Sequence, residues 1–142
     1  MHKLIINIAS RERPGELALL LQSLRTQTYQ DFDIYLLEDV PEGKSFLDFY
    51  YVGYLITGLK LEGHKVFYER TSFPHGVSRA RQVLVDKSLE KGYEYTLRLD
   101  DDVIIEPDYI ERLMKLTDRF DIISGVTPIM PPSFIRDSDI YR

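Results

Sequence analysis

Five short apolar runs alternate along this chain with stretches whose apolar residues recur every three or four positions. No other feature constrains its fold as strongly. An apolar run of about four to eight residues bounded by turn formers reads as a strand buried on both faces, whereas the wider spacing reads as one stripe of a helix. The runs are residues 3–9, 33–39, 65–69, 93–99 and 120–125. Between the first two, Pro14 suits a first helical turn, and Leu17, Leu20, Leu21 and Leu24 follow on a single stripe. A second helix is expected from Ser45, as its cap, to Leu61, although the aromatic load of this segment would also suit a strand. A third helix over 77–91 turns Val77, Ala80 and Leu84 inward and stops at Gly92. A fourth opens at Pro107 with Ile110, Leu113 and Met114 on its buried side. Strands separated by helices predict βαβ units and a mostly parallel sheet flanked by helices. Right-handed crossovers then bring the strand ends at Ala9, Asp39, Glu69 and Asp100 to one edge. Open α/β sheets place their ligands there.

The bulk numbers remove several function classes. A chain of 142 residues that is 44% hydrophobic and 29% charged is long enough for one domain with a core. Its net charge of -5, with no long Lys/Arg cluster, argues against nucleic acid as a partner. The absence of cysteine excludes a disulfide framework and any thiolate metal site. His2, His64 and His75 are scattered and form no metal-ligand spacing. No run reaches the length of a membrane helix, and residues 4–9 are too short and too polar at Asn7 for a signal segment, so a cytoplasmic location is expected. The aromatic segment 46–56 leaves room for a membrane-proximal or homo-oligomer patch beside the plainer reading of core packing.

Three adjacent aspartates, Asp100, Asp101 and Asp102, end the fourth run. Desolvation and like charge both raise carboxylate pKa values, so such a cluster, once partly buried, holds either protons or a cation. A solvated loop with one aspartate capping the next helix is the alternative, and the tripeptide alone leaves both open.

Longer segments decide between them. Residues 6–17 (INIASRERPGEL), 21–39 (LQSLRTQTYQDFDIYLLED), 76–82 (GVSRARQ) and 99–108 (LDDDVIIEPD) form an ordered series. In that order they resemble the opening strand and NRP turn, the SLxxQTYxxxEIIVVDD segment, the GxSxARN motif and the DXD region of family 2 glycosyltransferases with the GT-A fold. The chain is similar to the amino-terminal, nucleotide-sugar-binding half of those enzymes. The resemblance implies a Rossmann-like GT-A domain over 1–126, followed by an extended C-terminal segment over 127–142. It also implies metal-dependent transfer of a hexose-like sugar from a nucleotide-diphosphate sugar, with a UDP-sugar favoured, to a sugar, lipid or protein acceptor.

The resemblance carries over residue by residue. Asp39 matches the acid that recognises the base, and a carboxylate can accept from the imide N–H that uracil offers. Arg81 matches an arginine near the nucleotide, where its planar fork suits a base carbonyl or a phosphate. Ser10 and Arg13, in the turn after the first strand, join the nucleotide-binding set. Asp102 is expected on a Mn²⁺ or Mg²⁺ ion, whose hard character suits carboxylate oxygen. Asp100 is expected on the ribose, or on the metal through water. Asp101 fills the variable position and adds charge beside the nucleotide.

The chain also departs from the family pattern. The family's general base lies well downstream of DXD; here Asp137 and Asp139 are the only late acids, and neither sits in a matching motif. The loop after Asp39 is VPEGKS rather than Gly-Ser-Thr-like, and Lys44 within it could approach a phosphate. A non-catalytic nucleotide-sugar-binding module of the same fold is therefore a second reading. A nucleotidyltransferase ranks lower, because the loop from Ser10 to Gly15 has a single glycine where those enzymes carry a Gly-rich basic loop.

Overall fold

A computed structural model of the protein describes residues 2–40, 42–71 and 76–125. Strand β1 (Leu4–Ser10), helix α1 (Pro14–Arg25), β2 (Phe32–Glu38), α2 (Tyr50–Leu61), β3 (Val66–Arg70), α3 (Val77–Glu90), β4 (Tyr95–Asp100) and α4 (Tyr109–Met114) follow one another along the chain. The four strands form one parallel sheet in the order β3-β2-β1-β4. The expected α/β architecture is thus present.

The central strands explain the uninterrupted apolar runs. Ile5, Ile6 and Ile8 of β1 and Phe32, Ile34 and Leu36 of β2 are wholly inaccessible. A parallel strand covered on both faces has no solvated side to alternate with. Leu4, Ile6, Ile8, Phe32, Ile34 and Leu36 share a core with Leu17, Leu20, Leu21 and Leu24 of α1 and with Val52, Ile56 and Leu59 of α2. Ile5, Tyr35 and Leu37 form a second core with Ala80 and Leu84 of α3. Each fully buried leucine contributes about 1.5–3 kcal/mol relative to exposure. That stripe holds α1 in place, since Arg13 at its N-cap makes no side-chain capping bond.

Four sequence expectations need correction. Ser45 does not cap one continuous helix. It caps a short 3₁₀ turn over Phe46–Asp48, with a reciprocal bond from its backbone N–H to Asp48, and α2 starts only at Tyr50 after an extended Phe49. The cause is Glu38: this buried carboxylate accepts from the Ser45 hydroxyl at 2.7 Å and the Phe46 N–H at 2.9 Å, which fixes the entry to the segment. Residues 120–125 form no strand. The N–H groups of Arg119 and Phe120 bond back to the Leu116 carbonyl, and Ile122 is 91% exposed, so the segment adds no strand to the sheet, although Phe120, Asp121 and Ile123 line a small hollow with Leu4, Tyr95 and Leu97. Val77 is exposed at the start of α3, one turn ahead of the buried Ala80. Pro107 precedes α4 by two residues, and of its three inward positions only Ile110 is fully buried, with Leu113 and Met114 half-buried. In the aromatic segment Phe46, Val52 and Ile56 are core, as the plainer reading expects, while Tyr50 and Tyr54 are exposed.

Replacing Ser45 with alanine removes a cap and one donor to a buried carboxylate. The expected cost is about 1–2 kcal/mol, read as a lower urea midpoint at an unchanged slope. An unchanged midpoint would show that Glu38 is held without Ser45.

The opposite edge of the sheet carries a second buried acid. Asp33, near the start of β2, accepts from the Tyr93 hydroxyl at 2.6 Å, the Lys65 N–H at 2.8 Å and His2 Nδ1 at 2.9 Å. It ties β2 to the residues that lead into β3 and β4.

Candidate functional site

All four strands run the same way, so their carboxyl ends meet at one edge. Ser10 lies level with Glu38, Ala9 with Asp100, and Glu38 with Arg70. Between this edge and α3 lies a cleft of about 560 Å³. Ser10, Arg13, Asp39, Arg81 and the triplet Asp100 to Asp102 all line it. These seven residues are the complete set expected from the sequence, and they arrive from four separate segments.

Asp39 follows directly on β2 and is buried. Its N–H donates to the Ser10 carbonyl at 3.0 Å. Its carboxylate accepts from the Gly76 N–H at 3.0 Å and the Thr71 hydroxyl at 3.3 Å. Gly76 stands at the N-cap of α3 with φ of 77°, a left-handed backbone that a side chain would strain. The carboxylate is therefore held at the N-cap of α3, and from within that helix Arg81 reaches Asp100 at 2.8 Å.

The three adjacent acids occupy three different environments. Asp100 is half-exposed and paired with Arg81. Asp102 is half-exposed and paired with Arg13 at 2.9 Å. Asp101, between them, is buried and accepts from the Ser10 hydroxyl at 2.9 Å. Burial pushes the Asp101 carboxyl above its usual range, against the opposing effects of Ser10, Arg13 and the Arg11 N–H. The turn that delivers Ser10 and Arg13 passes through Glu12 at φ of 53°, a left-handed conformation that costs a non-glycine residue roughly 1–2 kcal/mol.

Lys44 does not line the cleft. Its ammonium lies over the Phe49 ring, 4.3 Å from the centroid. Sequence reading also missed two participants, Thr71 and the Gly76 N–H, which hold Asp39. Asp137 and Asp139 lie outside the described residues.

Among the described residues, no three His, Cys, Asp or Glu side chains are gathered as ligands of a metal ion. The donor set still fits a hard divalent ion that takes most of its ligands from phosphate and water. Asp100 and Asp102 offer carboxylate oxygen at the open side of the cleft, and each already faces a cationic guanidinium.

The profile described as Glycosyl transferase family 2 matches residues 5–133. The chain belongs to that family. No curated protein matches it. Among solved structures, S. aureus TarS is similar at 15% identity and a TM-score of 0.62, covering 82% of this chain and 19% of TarS. TarS 1–349 in complex with UDP gives 15% identity, a TM-score of 0.62 and coverage of 82% and 32%. The same TarS fragment in complex with UDP-GlcNAc gives 16% identity, a TM-score of 0.63 and coverage of 82% and 31%. At such identities the likeness is one of fold. The family 2 chain described here spans less than a third of these TarS chains. No helix among the described residues is long and apolar enough to cross a membrane.

Proposed function

We propose that this family 2 chain is the donor-binding part of a glycosyltransferase that takes its sugar from a nucleoside diphosphate, with UDP favoured and a Mn²⁺ or Mg²⁺ ion required. One observation carries the reading: Asp39, Arg81, Arg13 and the aspartate triplet, remote in sequence, share one cleft at the carboxyl edge of a parallel sheet. Family membership and the fold shared with UDP- and UDP-GlcNAc-bound TarS support it.

In this reading Asp39 accepts the imide N–H of uracil. Its carboxylate is pre-set by Gly76 and Thr71, so little ordering is lost when the base docks. Asp102 and Asp100 hold the divalent ion, Asp100 directly or through water while it also meets the ribose. The bound ion stabilises the charge that develops on the departing diphosphate, a Lewis-acid effect of several kcal/mol. Without donor, Arg13 and Arg81 are the counterions of Asp102 and Asp100. With cation and donor in place, both guanidiniums are free to turn their forks to phosphate oxygens. Ser10 and Asp101 complete the wall between them.

A second reading, a module that binds nucleotide sugar without turnover, draws on the same cleft. Among the described residues its carboxylates are Asp39 and Asp100 to Asp102; Asp39, Asp100 and Asp102 are assigned to the donor and Asp101 is buried against Ser10, so none is left as the base an acceptor hydroxyl needs. Metal-dependent hydrolysis of a UDP-sugar without acceptor separates the two: slow release of UDP favours the enzyme, and tight binding without release favours the module.

Base recognition has its own test. Replacing Asp39 with alanine is expected to weaken UDP binding by about tenfold or more, the loss of one hydrogen bond to a charged group. Binding of pyrophosphate with Mn²⁺ should change little in the same variant. Equal losses for both ligands would remove Asp39 from the base.

A further inference from the structure

The middle aspartate of the triplet makes contacts unlike those of its neighbours. Asp101 is 8% exposed, and its described hydrogen-bond and ion-pair partners lie at the end of β1 and in the turn that follows it. The Ser10 hydroxyl donates to its Oδ2 at 2.9 Å, across 91 positions of sequence. Arg13 Nη1 lies 3.6 Å from its Oδ1 and 2.9 Å from Asp102. Ser10 is itself 2% exposed, and its carbonyl accepts the Asp39 N–H, so one residue links the ends of β1, β2 and β4.

The turn needs such a tie. Glu12 is left-handed without being glycine, and α1 begins with no side-chain cap. A strained residue persists only where its surroundings over-determine it. We infer that Asp101 is a positioning residue: it clamps the start of the β1–α1 turn through Ser10 and so aims Arg13 at the donor phosphates, without binding nucleotide itself. The inference rests on the donor-site reading above. It gives the variable member of the triplet a defined role in this chain, paired with Ser10.

A double-mutant cycle tests it. UDP is titrated calorimetrically, with Mn²⁺ present, into the full chain as wild type, Arg13→Ala, Asp101→Ala and the double variant. Each single change is expected to cost about tenfold in affinity, and the double variant should bind no worse than Arg13→Ala alone, because Asp101 acts through Arg13. Losses that multiply to about a hundredfold would overturn the inference, as would an Asp101→Ala protein that binds like wild type. Asp101→Asn keeps an acceptor for the Ser10 hydroxyl and should recover most of the affinity; a loss as large as that of Asp101→Ala counts against the clamp. If Asp101→Ala shows no cooperative unfolding transition, Ser10→Ala breaks the same tie from the other side and takes its place in the cycle with the same expectation. A wild-type chain that binds no UDP overturns the donor-site reading together with the clamp. Multiplying losses in a chain that does bind UDP overturn the clamp alone.

Discussion

Replacing Asp102 with alanine will remove the metal dependence of UDP binding. Asp102 is the half-exposed carboxylate at the outer end of the triplet, and its ion-pair partner among the described residues is Arg13. Losing a metal-holding carboxylate costs more than the roughly 10–100-fold typical of its outer-shell supports. Arg13, released from its counterion, keeps its charge for the phosphates, so some metal-independent affinity survives. The expected signature is a ratio of affinities with and without Mn²⁺ that falls from at least about tenfold in the wild type to near one. Calorimetry of both proteins, with and without the ion, reads this ratio directly. An undiminished ratio in the variant would move the metal off Asp102.

The second large effect lies at the other end of the sheet and concerns stability. Asp33 is 1% exposed and accepts from three donors of separate segments. Truncating it to alanine leaves the buried Tyr93 hydroxyl and the half-buried Lys65 N–H without that acceptor. The expected cost is roughly 3 kcal/mol, which for a chain of this size lowers the thermal midpoint by roughly 10 °C. Asp33→Asn keeps the shape and part of the bonding, and should lose less than half as much.

A pH arm isolates the charge. Burial alone would raise the Asp33 carboxyl, but the bonds from Tyr93, the Lys65 N–H and His2 outweigh it and hold the group below its usual range. A depressed folded-state pKa stabilises the protein above the unfolded value, and that stability is lost as pH falls through the folded one. Wild type should therefore lose stability more steeply on acidification than Asp33→Asn. Parallel stability–pH curves for the two proteins would contradict this assignment.

The sheet was legible because its central strands are buried on both faces. Apolar runs such as residues 4–6 and 34–37 have one reading once helical stripes separate them. The edge that carries the site followed from the parallel connections, and the seven cleft residues followed from motifs in family order. What stayed hidden was tertiary. Nothing near Asp101 in sequence announces a serine 91 positions earlier, so its burial and its tie to the β1–α1 turn could not be read locally. Glu38 looked like an ordinary strand-end acid, yet it captures Ser45 and Phe46 and thereby breaks the expected helix in two. Residues 120–125 show the converse failure. Their composition suits a strand, but a strand exists only where a neighbour completes its ladder, and here the backbone bonds turn back to Leu116 instead.

The central claim is that the cleft at the carboxyl edge binds a nucleoside diphosphate through a divalent ion. Titration of UDP into the wild-type chain with Mn²⁺, repeated after the ion is chelated, tests it most directly. The arrangement of Asp39, Arg81 and the triplet predicts saturable one-to-one binding that weakens at least about tenfold on chelation. No binding in either condition would contradict the account.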